Sequence, residues 1–222
     1  MTIGNKKLFE KYALVPLLSI LIVHAAVWLG TKAFADISRS TDVTLPIDAM
    51  IPLRSEWVLI YILTFVFWAM GLLMIARQSE ELCCRFTAGI IFAELFCCFI
   101  FIAFPSCVTR PELDGSDVFT WILSIIYTTD TPTNCFPSMH CLFSYLVFRQ
   151  SLRVPDANPW FKIFCGVFAV LVFLSTLFIK QHVIADVFGG VFFAELSYIL
   201  GQKTSFWRIF TKMSKKCLRS GS

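Results

Sequence analysis

A histidine and an aspartate four residues apart carry the clearest chemical signal in this sequence of 222 residues. Residues four apart lie on one face of a helix, so His182 and Asp186 are expected to meet there. A carboxylate in that position accepts the N–H of one ring nitrogen and leaves the other as a directed nucleophile or base. A structural hydrogen bond and metal ligation are the alternatives, although no third ligand has a suitable spacing.

A second histidine stands at the predicted start of a helix. The order Pro137, Ser138, Met139, His140 places a proline in a position that a first turn tolerates and a serine that is a good N-cap. Free backbone N–H groups at such a start form a natural anion site, and His140 projects from that turn. On its own this pattern is also typical of an ordinary helix start with a packed histidine.

Two cations complete the set of candidate residues. Arg110 precedes a proline, and its guanidinium offers a planar fork that matches phosphate oxygens, with contact to lipid head groups as the alternative. Lys180 either adds a second positive charge beside His182 or simply marks the end of a helix. Two histidines, one carboxylate, one or two cations and a helix N-terminus suit phosphoryl transfer through histidine without a metal.

Three ordered motifs resemble those of the type-2 phosphatidic acid phosphatase superfamily, which includes membrane lipid phosphatases and the sphingomyelin and inositol-phosphorylceramide synthases. That family has an Arg-Pro motif, then P-S-G-H, then S-R-x5-H-x3-D. The resemblance covers about residues 105 to 190. The corresponding residues here are Arg110-Pro111, Pro137-Ser138-Met139-His140 and Ser175-Thr176-x5-His182-x3-Asp186.

The resemblance implies a six-helix core and a covalent phosphohistidine intermediate. His182 would attack phosphorus while Asp186 orients its ring. His140 would protonate the leaving oxygen and then activate the acceptor. Arg110 and Ser138 would hold the phosphate oxygens, helped by the backbone amides of Met139 and His140.

The sequence departs from the family pattern in ways that remove positive charge. The lysine expected seven residues before the arginine is Ala103, and the arginine of the third motif is Thr176. The glycine of the second motif is Met139. Lys180 is our hypothesis for a replacement cation. The reduced cation set also resembles the inositol-phosphorylceramide synthase side of the superfamily, where a lipid alcohol accepts the phosphoryl group instead of water.

Composition shows which elements must position these residues. Hydrophobic residues make up 57% and charged residues 15% of the chain, whereas soluble domains have roughly 45–50% and about 25%. A protein of 25.3 kDa cannot bury that much apolar surface in water. The same figures disfavour disorder, a coiled coil and nucleic-acid binding. The sequence therefore predicts an integral membrane protein.

The apolar runs predict an all-α, polytopic fold with a bundle of six transmembrane helices. A bilayer core about 30 Å thick needs about 20 apolar residues per helix, and the runs are continuous, unlike those of membrane β-strands. The fourth run is short and is expected to be partly buried. The six runs are Tyr12–Gly30, Trp57–Ala76, Thr87–Phe104, Ser138–Leu152, Phe161–Ile179 and Val183–Gly201.

Basic residues predict the orientation of these helices. The positive-inside rule places both termini in the cytoplasm and the connections Thr31–Glu56 and Pro105–Pro137 outside. Residues 1–222 form a single membrane domain in this interpretation, with a basic cytoplasmic tail at 203–222. Of the 19 lysines and arginines, those left outside are Lys32, Arg39, Arg54, Arg110 and Lys180.

We therefore expect a lipid phosphatase of the plasma membrane whose active site faces the extracytoplasmic side. Its partners would be a phosphorylated lipid and the bilayer, with no nucleic acid, no cofactor and no metal. A lipid phosphotransferase is the first alternative, and a non-catalytic transporter or scaffold is the second. Glu94, Glu195 and His24 are expected to pair within the bundle, whereas a continuous pore lined by them would indicate transport. A disulfide between Cys107 and Cys135 is left open.

Overall fold

The computed structural model describes residues 10–115, 117–155 and 157–220, and these residues are predominantly helical. Short 3-10 turns span Lys11–Ala13, Ile37–Arg39, Pro46–Met50 and Ser55–Trp57. Two short strands, β1 (Thr41–Asp42) and β2 (Ser106–Cys107), pair in parallel. The helices are α1 (Leu14–Phe34), α2 (Val58–Ala76), α3 (Glu80–Ala103), α4 (Val118–Thr129), α5 (Met139–Ser151), α6 (Pro159–Phe178), α7 (Ile184–Lys203) and α8 (Arg208–Ser220).

Five of the described helices, α1, α2, α3, α6 and α7, are long and apolar enough to cross a membrane. Each contains most of one predicted apolar run. α3 begins seven residues earlier than expected because Ser79 caps it: the Ser79 hydroxyl accepts a hydrogen bond from the N–H of Leu82. Glu80 and Glu81 follow in its first turn, where negative charge is favourable.

The structure does not confirm the sixth transmembrane helix predicted over Ser138–Leu152. The structure places α5 there, but it has only 13 residues. At 1.5 Å per residue it is about 20 Å long, which is shorter than a bilayer core of about 30 Å. α5 begins directly after the cap at Ser138 and ends before Leu152, so its sequence signals limit its length.

Two further helices lie outside the predicted apolar runs. α4 is a short apolar helix within the predicted connection Pro105–Pro137, and the carboxylate of Asp117 caps it by accepting from the N–H groups of Phe119 and Thr120. α8 carries the basic tail. It packs on the bundle through buried Phe210 and a hydrogen bond from the Ser214 hydroxyl to the carbonyl of Tyr12.

Small residues let α7 pack closely against α3 and α5. A Cβ atom at Gly201 would lie 2.6 Å from the amide nitrogen of Gly89 on α3. At Gly190 it would lie 2.7 Å from the carbonyl oxygen of Ser138, just before α5. Small residues allow such close backbone approach between helices in membranes. This packing holds the start of α7 against the start of α5.

The three motif segments meet at one end of the bundle, which we call the motif end. It contains the ends of α1, α3 and α6 and the starts of α2, α5 and α7. The connections are joined there by the β1–β2 pair, by a hydrogen bond from Arg54 N–H to Phe178 O (3.0 Å), and by one from Ile184 N–H to the Asp48 carboxylate (2.9 Å).

Candidate active site

A cavity of about 540 Å³ opens at the motif end. The chain has three histidines, and His24, His140 and His182 all line this cavity. Arg110 and Met139 line it as well. Residues from α1, α2 and α5 and from the connections before α5 and α7 therefore share one space. Among the predicted site residues, the structure brings His182, His140, Arg110 and Met139 together.

His182 is oriented by Asp186. Its Nδ1 lies 3.1 Å from Asp186 Oδ2, and the same oxygen accepts from the N–H of Val183 at 3.1 Å. Asp186 is completely buried, and the exposed fraction of the His182 side chain is 10%. Since a carboxylate only accepts hydrogen bonds, this contact favours the proton on Nδ1 and leaves Nε2 with a free lone pair.

The pair forms across the start of a helix and not within one, which corrects the predicted arrangement. Asp186 lies in the first turn of α7, but His182 precedes that helix, which begins at Ile184. The connection from α6 turns at Lys180, whose φ is 55°. The contact predicted between His182 and Asp186 is nevertheless confirmed, because Asp186 reaches back to cap the helix start.

Aromatic side chains of α2 hold His140. Its ring lies 4.4 Å from that of Tyr61 and 5.4 Å from that of Trp68, between ring centroids. His140 and His182 face each other with their ring centroids 5.9 Å apart. Packing against rigid rings restricts the His140 side chain, so its position relative to His182 is well defined.

Ser138 occupies a different position from the one its predicted role requires. It is fully buried and does not line the cavity. Its hydroxyl caps α5 by accepting from the N–H of Cys141 at 3.3 Å, and its own N–H donates to the carbonyl of Asp186 at 3.1 Å. Ser138 therefore fixes the start of α5. The N–H groups of Met139 and His140 are left as first-turn donors, because the first N–H groups of a helix have no intrahelical acceptor.

Arg110 lines the cavity with its guanidinium held by backbone carbonyls. Its Nη1 donates to the carbonyl oxygens of Asp130 (2.6 Å) and Tyr127 (3.3 Å), and Nε is buried with no partner among the described residues. Burial lowers the pKa of the Arg110 guanidinium, and the negative charge of Asp130 opposes this shift. Arginine starts from so high a pKa that it stays charged at neutral pH.

Lys180 does not line the cavity, so the hypothesis of a replacement cation at this position loses its geometric basis. Its Nζ donates to the backbone carbonyls of Asp48 (3.0 Å) and Ile51. The physical reason is local, since these carbonyls flank the end of the turn Pro46–Met50 and use two of the three donors of the ammonium group.

Lys32 is the second cation at the cavity instead. It lies at the end of α1, lines the cavity, and donates from Nζ to the carbonyl of Thr129 at 3.1 Å. Its Nζ also lies 4.8 Å from the ring of Trp28. In the sequence, Lys32 is notable only as one of the few basic residues on the predicted outer side. Its spacing of four from Trp28 was the one local signal of a shared face.

A buried polar network beside Arg110 was also missed. Asp130 Oδ2 accepts from the hydroxyl of Tyr61 at 3.1 Å and from Nε2 of Gln181 at 3.2 Å. All three residues line the cavity, and Gln181 precedes His182 directly. The network ties α2 and the connection before α5 to the residue next to His182. Asp130 stands among threonines in a polar connection, so its sequence context carries no signal of this role.

No family model matches the chain, and neither a curated protein nor a solved structure matches it. Within the described ranges, no three His, Cys, Asp or Glu side chains are arranged to hold a metal ion. Cys107 and Cys135 are free thiols.

Glu94, Glu195 and His24 are paired within the bundle, as the sequence predicts. His24 Nδ1 lies 2.7 Å from Glu94 Oε1. Glu195 accepts two hydrogen bonds from Arg149, both of 2.9 Å, and one from the hydroxyl of Tyr145 at 3.0 Å. Glu195 does not line the cavity, whereas His24 does. Of the two pairs, the His24–Glu94 pair is therefore the one that can contact a molecule in the cavity.

Proposed function

We propose that this protein is a membrane-embedded lipid phosphatase that works through a phosphohistidine intermediate. One observation carries the proposal: His182, which is paired with Asp186, faces His140 in a cavity that Arg110 also lines. The centroids of the two histidine rings are 5.9 Å apart. A nucleophile with an orienting group, a second histidine for proton transfer and a fixed cation are the groups that phosphoryl transfer to histidine needs.

The reaction has two steps. Nε2 of His182 attacks phosphorus, and the bond between phosphorus and the lipid oxygen breaks while His140 donates a proton to that oxygen. Water then attacks phospho-His182, His140 accepts a proton from this water, and the bond from phosphorus to Nε2 breaks. Inorganic phosphate and the free lipid alcohol are the products. Asp186 keeps Nε2 directed at phosphorus throughout because its carboxylate binds Nδ1.

Positive charge at the cavity would stabilise the transition state. Arg110 is preorganised by the backbone carbonyls that bind Nη1, so its remaining donors do not have to reorient during the reaction. Lys32 supplies a second charge from α1. The first-turn N–H groups of Met139 and His140 add two neutral donors of the kind that bind phosphate at helix starts.

The apolar part of the cavity wall supports a lipid substrate. Trp28 on α1 and Ile62 and Phe65 on α2 line the cavity and are exposed on the outside of the bundle. Both helices are long and apolar enough to cross a membrane, so this side of the cavity would face lipid. A substrate whose phosphate lies at Arg110 can therefore leave its hydrocarbon chains in the bilayer.

The basic residues support an orientation with the motif end outside and α5 as a sixth, shortened crossing. The opposite end of the bundle carries most of the cations, including those that follow α5 and the series on α8. This excess is typical of a cytoplasmic side. We therefore propose that both termini are cytoplasmic, that the protein resides in the plasma membrane, and that the cavity opens to the extracytoplasmic side.

The deciding experiment incubates purified protein in detergent and EDTA with a panel of lipid phosphates. We expect free phosphate to appear without an added alcohol and to disappear in the His182→Ala variant. Release that requires an added lipid alcohol would make the protein a phosphotransferase. The absence of both hydrolysis and transfer across the panel would contradict an enzymatic function.

A further inference from the structure

A second histidine–carboxylate pair lies deep in the same cavity. His24 is on α1 and Glu94 is on α3, and the distance from His24 Nδ1 to Glu94 Oε1 is 2.7 Å. Glu94 is completely buried, and its second oxygen, Oε2, has no partner among the described residues. Ionisable groups within apolar membrane helices are costly, so a pair of this kind is a candidate for binding or catalysis.

Only His24 of this pair reaches the cavity. Its side chain is 39% exposed, and Nδ1 is taken by Glu94. Nε2 is therefore the polar atom that the pair presents to a molecule inside the cavity. Glu94 holds the ring from behind, in the way that Asp186 holds the ring of His182.

Ring contacts fix how deep this pair lies. His24 contacts Phe143 edge to face, with the centroids 5.7 Å apart. Phe143 follows His140 by three residues on α5, which is about 4.5 Å along a helix. Trp68 contacts both His140 (5.4 Å) and Phe143 (5.3 Å), so the rings form one continuous wall. The pair therefore lies about one helical turn below His140.

We propose that the His24–Glu94 pair binds the polar backbone of the lipid substrate. This inference rests on the proposed function, in which His140 protonates the oxygen that leaves with the lipid. The first atoms of the leaving lipid then extend from His140 toward His24. A hydroxyl, ester or amide oxygen within a few bonds of the phosphate would accept a hydrogen bond from Nε2–H of His24, because the buried Glu94 carboxylate stabilises the protonated form of the ring, in which both nitrogens are donors.

The inference names a substrate class. Glycerolipid and sphingolipid phosphates have hydrogen-bonding groups at this depth, whereas polyisoprenyl phosphates have only hydrocarbon there. A site built to hydrogen-bond its substrate rejects an analogue that lacks the group, because a buried polar atom of the protein is then left without a partner. The pair therefore selects lipid phosphates with a polar backbone.

The test compares dioctanoyl phosphatidic acid with farnesyl phosphate in detergent micelles. We expect the wild-type protein to prefer phosphatidic acid. His24→Phe should lower kcat/KM for phosphatidic acid by about tenfold or more, and that for farnesyl phosphate by less than about twofold. Farnesyl phosphate serves as an internal control for folding and for the chemistry of His182, since it uses the same nucleophile.

Glu195→Gln is the matched control variant. It changes a carboxylate of the bundle that is paired with Arg149 and does not line the cavity, and it should leave the ratio of the two kcat/KM values unchanged. An unchanged ratio in His24→Phe, or an equal loss on both substrates, would overturn the inference and leave the pair as a link between α1 and α3. If the wild-type protein hydrolyses neither substrate nor any other lipid phosphate, the proposed function is wrong, and so is this inference, which depends on it.

Discussion

At the scale of single residues, the oxygen Oδ2 of Asp186 has two tasks. It accepts from the N–H of Val183 and so closes the start of α7, and it binds Nδ1 of His182 and so aims Nε2. The orientation of the His182 ring, the proposed nucleophile, is thus coupled to the start of a helix. A substitution that keeps the helix cap but loses the charge separates the two tasks.

Asp186→Asn is that substitution. An amide oxygen in the place of Oδ2 can still accept from the N–H of Val183 and from Nδ1 of His182, but it carries no negative charge to stabilise the positive charge that His182 gains when Nε2 binds phosphorus. We expect kcat to fall by about a thousandfold or more while the melting temperature changes little. Steady-state kinetics and thermal unfolding measure the two effects. A kcat near the wild-type value would show that Asp186 serves the helix only.

His182→Ala and His140→Ala should each abolish turnover, but at different points. Without His182 no phosphoenzyme forms. Without His140 the leaving oxygen is not protonated, so the first step slows by about a hundredfold to ten-thousandfold. Rapid-quench measurement of acid-labile phosphate bound to the protein distinguishes the variants. Full activity in either variant would refute the proposed roles.

Lys32 and Lys180 make a matched pair of cations, one at the cavity and one away from it. We expect Lys32→Ala to lower kcat/KM by about tenfold, because a charge near the phosphate is lost. Lys180→Ala should leave kcat and KM unchanged and lower the melting temperature, since it removes hydrogen bonds to the turn that ends near Ile51. If Lys180→Ala lowered kcat/KM and Lys32→Ala did not, Lys180 and not Lys32 would be the second cation.

At the scale of elements, the position of α7 influences the distance between His140 and His182. His182 lies two residues before its start, and Gly190 lets α7 approach the backbone of Ser138, which caps α5 and precedes His140. The geometry of the site therefore depends on one contact between helices. Glycine is required there by the close approach and not by its backbone conformation.

Gly190→Ala tests this dependence. The added Cβ would lie 2.7 Å from the Ser138 carbonyl, so α7 must move away from α5. Overpacking of this kind costs about 1–3 kcal/mol, and we expect a lower melting temperature together with a lower kcat. Gly30→Ala is the control, because a Cβ at Gly30 has nothing within 4 Å. Equal effects of the two substitutions would argue against the packing explanation.

At the scale of the whole molecule, the cavity and the basic helix α8 lie at opposite ends of the bundle. The connections around residues 41–54, 106–115 and 130–134 join at the motif end, whereas α8 packs beside Tyr12 and α3 at the other end. The proposed orientation therefore predicts which cysteines an impermeant reagent reaches.

We expect a membrane-impermeant maleimide to label Met50→Cys in intact cells, in a background that also carries Cys107→Ser. Met50 is 81% exposed in the turn at the motif end. The Cys107→Ser protein without the Met50 substitution still has an exposed cysteine, Cys217 on α8. We expect the reagent to label it only after the cells are permeabilised. Labelling of the Cys107→Ser protein in intact cells would reverse the orientation.

Much of the fold was predictable because local sequence sets it. Uninterrupted apolar runs define α1, α2, α3, α6 and α7 to within a few residues at most of their ends. α4 was missed because its 12 residues are too few for the length criterion of a membrane helix. The length of α5 does not follow from apolar composition, because its cap at Ser138 and its end before Leu152 confine it to 13 residues.

What the sequence determined by itself is the membrane environment, the helical class and the motif residues His182, Asp186 and His140, since each depends on composition or short spacings. The tertiary structure alone decided which other side chains share the cavity. Lys32, Tyr61, Asp130 and His24 line it, whereas Lys180 and Ser138 do not. The physical reason is that these contacts join segments far apart in the chain. Helix packing and turn geometry bring them together, and no local pattern encodes either.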